Sequence, residues 1–206
     1  LLYLNSNLSD HHYVGVGRDD GKTKGEYSPI FYNKSNYDLI NSDTFWLSET
    51  PKLISVGWDA SMERICTYGL FQQKTSGRSV WVFNTHFDHI GEVARDKSID
   101  LILKTIKDLT KNNDRIIITG DFNLSDDSKP IKKIQNFYND VNIDMDNKSK
   151  LYGTFNQFKT NSTFQSRIDY IFYKNFISIE STHGHIKTKN GRWASDHHPV
   201  ISLLKF

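Results

Sequence analysis

An apolar run meets a polar turn in the stretch Arg115-Ile-Ile-Ile-Thr-Gly-Asp-Phe-Asn123. The three isoleucines and Thr119 predict a fully buried strand over Arg115–Gly120, of the kind that lies inside a sheet covered on both faces. In an extended chain, residues i and i+2 point to the same side, so we expect Asp121 and Asn123 to project together. A carboxylate and an amide in that arrangement can address one water molecule or one metal ion.

Strand and helix patterns extend in both directions from this stretch. β-branched and aromatic residues predict further strands over Tyr13–Gly17, Ser28–Tyr32, Tyr37–Phe45, Arg64–Phe71, Ser79–His86, Ile168–Tyr173, Ile177–His185 and Val200–Leu204. Apolar spacing and capping residues predict helices over Leu1–Leu8, Glu92–Leu109 and Ser128–Phe137. Many strands with few helices indicate an α+β sandwich of packed sheets flanked by helices.

Composition limits the class of protein. The chain has 206 residues, and 26 Lys and Arg stand against 24 Asp and Glu, which gives a formal net charge of +2. Such a balance argues against a protein that holds nucleic acid with its whole surface, so any contact with a polyanion must be local. The sequence has no internal repeat and no linker-like stretch, and we expect a single domain over residues 1–206.

Several other classes of protein are disfavoured. No Gly-rich phosphate loop follows a predicted strand, which argues against a kinase, an NTPase or a dehydrogenase. The single Cys66 excludes an internal disulfide and a multi-thiolate zinc site. No apolar run approaches the roughly 18–20 residues that span a bilayer, and no signal-like segment is present. The compartment stays undefined by the sequence.

Four polar clusters lie where predicted strands begin or end. They are Asn84-Thr85-His86, Gly120-Asp121-Phe122-Asn123, Arg167-Ile168-Asp169-Tyr170 and Ser195-Asp196-His197-His198-Pro199. Asp169 lies between two apolar residues, so its carboxylate should point into a shared polar space, where a histidine would serve as its partner. Each cluster alone is also common in turns and in surface pairs. The four together indicate chemistry on a phosphate group.

In this order, the four clusters resemble the motifs of the endonuclease/exonuclease/phosphatase superfamily, and the resemblance extends from roughly Val14 to Phe206. Three further stretches resemble a bacterial branch of that superfamily, namely Val14–Gly21, Phe45–Pro51 and Asn84–Gly91. The resemblance implies a four-layer α/β/β/α sandwich of two packed mixed sheets and a metal-dependent phosphoester hydrolase. It also implies an Asn on a first strand and a Glu ending a second, both before Val14. No Glu precedes Glu26. We therefore expect the chain to lack the family's N-terminal strands and to hold an incomplete metal site.

The resemblance also implies catalytic roles for matching residues. Asp121 would activate or position the attacking water, and Asn123 would orient it. His197 would contact the scissile phosphate, with Asp169 holding its ring. His86 would lie beside the phosphate.

Metal and phosphate contacts are implied in the same way. Asp196 and Asp121 would be the metal ligands, and their oxygen atoms suit magnesium or manganese. Arg64, at the start of its strand, would be a further phosphate contact. An alternative in a different class is a non-catalytic domain of this fold that binds a phosphorylated ligand. The absence of an upstream Glu favours that alternative.

Two basic loops are relevant to the kind of substrate that the protein binds. Basic residues form two groups, Arg18, Lys22 and Lys24 in one loop and Lys187, Lys189 and Arg192 in the other, with Trp58 and Trp193 near them. They are either a rim around the site, with tryptophans that stack on a base or sugar, or two solvated loops. Asp88 and His89 are further candidates for contact with the substrate. Single-stranded nucleic acid, a nucleotide and a phosphorylated sugar or lipid head group all stay open as substrates, as does the oligomeric state.

Overall fold

The computed structural model describes residues 1–142, 152–159 and 166–206. In chain order, the elements are α1 (Leu2–Asn7), β1 (His11–Val14), β2 (Ile30–Asn33), β3 (Tyr37–Trp46), β4 (Ile65–Gln73), β5 (Ser79–His86), α2 (Glu92–Leu109), β6 (Ile116–Asp121), α3 (Lys129–Gln135), β7 (Asn139–Asp140), β8 (Asp169–Lys174), β9 (Ile177–His183) and β10 (Val200–Lys205). Every strand and helix predicted from the sequence is present. Only the short β7 has no counterpart in the sequence patterns.

Six strands form one mixed sheet in the order β3-β4-β5-β6-β8-β7. β5 and β6 are parallel, with α2 as the crossover between them, and the other neighbours are antiparallel. The register pairs His86 with Asp121 and Asp121 with Asp169. Three of the polar residues singled out by sequence are therefore neighbours at one edge of the sheet.

The two faces of the large sheet are covered by different layers. Ile116 and Ile118 belong to the core that α2 and α3 close, together with Ile106 and Ile131 from these helices. Each such side chain contributes about 1.5–3 kcal/mol by burial. Ile117, between the two strand isoleucines, packs instead in the second core. The continuous Ile run follows from this double covering, because alternate residues of a strand face opposite layers.

The second core packs two small antiparallel sheets, β1-β2 and β9-β10, against the opposite face. Ile30 of β2 is buried with Phe71 and Val80 of the large sheet, and Phe206 at the end of β10 packs against the same cluster. The α+β sandwich expected from the sequence is thus confirmed. Among the described residues, no helix is long and apolar enough to cross a membrane.

Candidate active site

A cavity of about 880 Å³ opens at the edge of the sheet where the polar strand ends meet. His86 from β5, Asp121 from β6 and Asp169 from β8 line it, and His197 joins them from the segment before β10. These four residues were predicted to form one site from their positions at strand ends. The structure brings all four together.

Asp169 and His197 form a tight pair in this cavity. The Nδ1 atom of His197 lies 2.8 Å from Oδ2 of Asp169, and both side chains are largely buried. Burial lowers the pKa of the imidazole, but the hydrogen bond to Asp169, with the charges of Asp121 and Asp196, outweighs it and raises the pKa of His197 above its ordinary value. The ring is therefore held in one orientation, with Nε2 left to face the cavity.

A second carboxylate–histidine pair lies on the other side of Asp121. The Nδ1 atom of His86 is 3.0 Å from Oε1 of Glu26, whose other oxygen accepts a hydrogen bond from Nη1 of Arg18 at 2.8 Å. The hydrogen bond with His86 lowers the pKa of Glu26 to about 2, against an opposing effect of burial. The sequence analysis missed Glu26 as a site residue, since it lies in a charged loop with no strand-end signal.

Asp121 is the shared partner of both histidines. Its Oδ2 atom is 3.4 Å from Nε2 of His86 and 3.9 Å from Nε2 of His197. Its Oδ1 atom accepts a hydrogen bond from the backbone N–H of Asn123 at 2.8 Å. Burial and the nearby charge of Asp169 raise the pKa of Asp121 above its ordinary value.

Asn123 differs from the expectation based on extended spacing. β6 ends at Asp121, and Asn123 has a φ of 48°, in the left-handed region. Its Nδ2 atom donates to the carbonyl of Phe87 at 3.0 Å. Asn123 therefore links the turn after β6 to the segment after β5 and does not project beside Asp121 from one strand.

The structure separates Asp196 from the four residues of the cavity. Ser195 and His197 both line the cavity, whereas Asp196 between them does not. The Oδ1 atom of Asp196 lies 3.4 Å from the hydroxyl oxygen of Ser195. Its contribution to the site in this structure is the charge that helps to raise the pKa of His197.

Arg64 lies beneath the site and not in its open part. The side chain is 4% exposed, with Nε 3.4 Å from Oδ2 of Asp88 and Nη2 3.1 Å from Nδ1 of His89. It borders a crevice too narrow for a water molecule, together with Glu26 and His86. A phosphate contact by Arg64 stays a prediction. Its burial under the Glu26–His86 pair is suited to supporting that pair electrostatically.

Asp88 is a buried residue that stabilises the loop after β5. It is 2% exposed, and its carboxylate accepts hydrogen bonds from Ser61 and from the backbone N–H groups of Ile90 and Gly91. These bonds lower its pKa well below the usual range despite burial. Asp88 therefore fixes the loop after β5, and its oxygen atoms are occupied by the protein.

A divalent cation fits the donor set of the cavity. Among the described residues, Asp121, Asp169 and His197 each offer a ligand atom, and these atoms lie within 4.8 Å of one another. Two neighbouring carboxylates repel each other, as the raised pKa of Asp121 reflects, and a cation relieves that repulsion. Hard oxygen donors suit magnesium, calcium or manganese, but this group does not select one of them.

Thr154, for which the sequence patterns gave no signal, joins the two segments that carry Asp169 and His197. The buried hydroxyl of Thr154 accepts hydrogen bonds from the backbone N–H groups of Ile168 and Asp169 at 3.0 and 3.2 Å. Its carbonyl accepts from the N–H of His198 at 2.7 Å. Thr154 therefore connects the strand that carries Asp169 to the segment that carries His197.

The chain is similar in sequence to a known protein family over most of its length. The sequence profile described as "Endonuclease/Exonuclease/phosphatase family" matches residues 7–197. An uncharacterized protein of Acanthamoeba polyphaga mimivirus is 32% identical over 166 residues, which are 79% of this chain and 59% of that protein. The chain therefore spans less than two thirds of this relative's length.

Solved structures are similar over almost the whole chain. The mannosyl-6-phosphatase of Bacteroides thetaiotaomicron is 36% identical with a TM-score of 0.89, and the match covers 100% of this chain and 81% of that one. An endonuclease/exonuclease/phosphatase from Bacteroides vulgatus is 34% identical with a TM-score of 0.88, covering 98% and 78%. D. rerio TDP2, in complex with a single-strand DNA product, is 18% identical with a TM-score of 0.77, covering 100% and 81%, a likeness of fold alone.

Proposed function

Because the chain belongs to the endonuclease/exonuclease/phosphatase family, we propose that it hydrolyses phosphoester bonds with an activated water molecule. One observation carries this proposal. Two carboxylate–histidine pairs present their Nε2 atoms to the same oxygen of Asp121, at 3.4 and 3.9 Å. Phosphoryl transfer needs positioning and charge neutralisation more than covalent help, and this arrangement supplies both. In this proposal, residues 1–206 act as one domain.

Asp121 positions and deprotonates the attacking water. Burial and the charge of Asp169 raise its pKa, and a carboxylate with a raised pKa is a stronger base. Its Oδ1 atom is held by the backbone N–H of Asn123, so Oδ2 is the atom directed to the water. Asn123 acts on the water through Asp121, which its backbone N–H holds, since its side-chain amide donates to the carbonyl of Phe87.

His197 stabilises the charge that develops on the phosphoryl group. Its Nδ1–H donates to Asp169, and its raised pKa favours the imidazolium, whose Nε2–H then donates to a phosphate oxygen. His86 presents its Nε2 atom to the phosphate from the opposite side, with Glu26 as the partner of its Nδ1 atom. Arg64 lies buried behind His86, and its charge acts on the Glu26 carboxylate of that pair.

A magnesium or manganese ion is part of the proposed reaction. Asp121 is the first ligand, with the Asp169 carboxylate within reach of the same ion and Asp196 as an additional ligand if its side chain turns toward the cavity. When bound, such an ion polarises a phosphoryl oxygen and neutralises charge on the leaving oxygen. Magnesium keeps several water ligands, so a small protein donor set is compatible with it.

The substrate is a phosphoester, and a phosphorylated sugar is the class that the comparisons support best. The similar mannosyl-6-phosphatase is 36% identical over the whole chain, whereas the TDP2 complex with DNA is similar in fold alone. Nuclease and phosphodiesterase activities belong to the same reaction type. The proposal therefore covers cleavage of monoesters and diesters.

The test is a panel of chromogenic phosphomonoesters and phosphodiesters with magnesium, with manganese and with a chelator. We expect turnover only with a divalent metal, and a loss of at least about a hundredfold in Asp121→Asn and His197→Gln, since each removes a group that touches the reacting phosphate. Asp108→Asn and His12→Gln are matched controls on the exposed surface and should retain full activity. Full activity in Asp121→Asn would contradict the proposal.

A domain of this fold that binds a phosphorylated ligand without catalysis is the second candidate. Titration calorimetry with magnesium discriminates the two. Metal binding that is lost in Asp121→Asn supports the enzyme. Binding of phosphate with neither metal binding nor turnover in the panel supports the non-catalytic domain.

A further inference from the structure

A second cavity, of about 800 Å³, adjoins the proposed active site. It is lined by Phe158, Thr188, Lys189, Asn190, Arg192 and Trp193. Trp193 packs edge-on against the ring of His198, with 4.7 Å between centroids, and the next two residues, Ala194 and Ser195, line the active-site cavity. Two residues span at most about 7 Å, so the two cavities lie close enough for one small molecule to contact both.

The lining of this second cavity is cationic. The stretch from Ser181 to Ser195 contains no Asp or Glu, although the whole chain is close to neutral. Lys189 and Arg192 are exposed and form no ion pair with any residue that the structure describes. Lys187 differs from them, because its Nζ atom lies over the ring of Trp193 at 4.5 Å. Two cations are therefore free to bind an anion.

The cationic loop is preorganised. The N–H of Thr188 donates to the carbonyl of Arg192 at 2.8 Å, and the N–H of Gly191 donates back to Thr188 at 2.9 Å. Gly191 has a φ of 78°, which a side chain would disfavour, and Lys187 pairs with Trp193 at the base of the turn. A loop held in this way loses little conformational entropy when it binds a ligand.

Phe158 supplies an exposed aromatic surface beside the cations. Its side chain is 59% exposed on a backbone with a φ of 58°. Its N–H donates to Oδ1 of Asn156 at 2.7 Å, and Nδ2 of Asn156 donates to the carbonyl of Ser195 at 3.0 Å. The backbone of Phe158 is thereby held relative to the active-site segment. A left-handed backbone under an exposed ring costs energy that no core packing offsets.

We propose that this second-anion pocket, formed by Phe158, Lys189 and Arg192, binds a second anionic group on the substrate. The inference rests on the proposed function and adds that the preferred substrates are phosphoesters with two anionic groups, one hydrolysed and one retained. Lys189 and Arg192 bind the retained group. Phe158 packs against the apolar face of the ring that joins the two groups.

Two sugars test this specificity because they share a pyranose ring and the phosphate on carbon 6. Glucose 6-phosphate has no second anion, and glucose 1,6-bisphosphate has a second phosphate on the same ring. We expect kcat/KM for the bisphosphate to exceed that for the monophosphate by about tenfold or more, the worth of one or two charge-assisted hydrogen bonds.

The double variant Lys189→Gln/Arg192→Gln should remove this preference through KM, with the turnover of glucose 6-phosphate unchanged. Lys107→Gln/Lys111→Gln is the matched control, since both lysines border a cavity at the Ile116 end of β6, opposite the Asp121 end. An unaltered preference in the Lys189/Arg192 variant, or no preference in the wild-type protein, would overturn the inference.

Binding without turnover separates this inference from the proposed function. Calorimetry of Asp121→Asn with glucose 1,6-bisphosphate and glucose 6-phosphate should give tighter binding of the bisphosphate by about tenfold, lost when Lys189 and Arg192 are also replaced. That result supports the second-anion pocket even if no substrate is hydrolysed. Equal binding of the two sugars, or no binding of either, contradicts it.

Discussion

The Nδ1 atom of His86 lies 3.0 Å from Oε1 of Glu26, although 60 positions separate the two residues in the sequence. Asp169 and His197 form the same kind of pair at 2.8 Å. Both rings turn their outer nitrogen toward Asp121. Two imidazoles with defined orientation therefore flank one carboxylate, which concentrates hydrogen-bond donors where a phosphate would gain negative charge.

Glu26→Gln should reduce kcat by about tenfold to a hundredfold, the range for loss of a hydrogen bond to a charged group. The amide keeps the size of the side chain but replaces the charged hydrogen-bond partner of His86 with a neutral one. Steady-state kinetics on the best substrate of the panel measures the effect. Glu180→Gln, an exposed change on β9, is the control and should leave kcat unaltered.

The same pair predicts how stability depends on pH. The pKa of Glu26 is about 2 in the folded protein against an ordinary value of 4.5, so the Glu26 carboxylate stabilises the fold above about pH 4.5 and loses this effect as the pH falls toward 2. We expect the difference in thermal midpoint between wild type and Glu26→Gln to shrink over that interval. A difference that is constant from pH 6 to pH 3 would contradict the prediction.

Thr154→Val should impair catalysis, since it leaves the N–H groups of Ile168 and Asp169 without their buried acceptor. A buried donor left unsatisfied costs about 1–3 kcal/mol, and the strand that carries Asp169 should shift. We expect kcat to fall and the pH profile of His197 to move. Thr154→Ser keeps the hydroxyl and should retain both, whereas a purely steric role for Thr154 would leave Val active, because it has the shape of Thr, and would impair Ser.

Arg167→Gln should destabilise the fold by about 3–5 kcal/mol, because it leaves the buried carboxylate of Asp140 unpaired. The guanidinium is 2% exposed and Nη2 lies 2.7 Å from Oδ2 of Asp140. Urea unfolding measures the loss. Lys133→Gln breaks two largely exposed ion pairs, with Asp96 and Asp100, and should cost less than about 1 kcal/mol. An equal loss of unfolding free energy in the two variants would contradict the prediction that the buried Arg167–Asp140 pair matters more.

Gly120→Ala should abolish activity and destabilise the fold strongly. Gly120 has a φ of 152°, and a Cβ atom there would lie 2.1 Å from the carbonyl oxygen of Thr85 on the neighbouring strand. Gly77→Ala is a matched control with a φ of 67° and open space around the added methyl group. It should cost only the backbone term of about 1–2 kcal/mol. Thermal unfolding and activity of the two variants measure the difference.

Local sequence patterns predicted the helices and strands well, because the apolar spacing of each element matches the face that it buries. The boundaries of Ser79–His86 and Glu92–Leu109 follow from β-branched alternation and from helical spacing, and both match the structure. β7 was not predicted, since two residues carry no periodic signal. Asn123 was placed in an extended strand because spacing alone does not report where a chain turns into the left-handed region.

The sequence by itself determined that His86, Asp121 and Asp169 lie where strands end or begin, because each adjoins an apolar strand pattern. The tertiary structure decided that β5, β6 and β8 are neighbours, which brings these strand ends together. Only the tertiary structure decided the partners that come from distant loops. Glu26 contacts His86, and Thr154 joins the segments that carry Asp169 and His197. Neither contact produces a periodic pattern in the sequence. Local periodicity reports which face a residue buries, whereas a hydrogen bond between loops depends on how the whole chain packs.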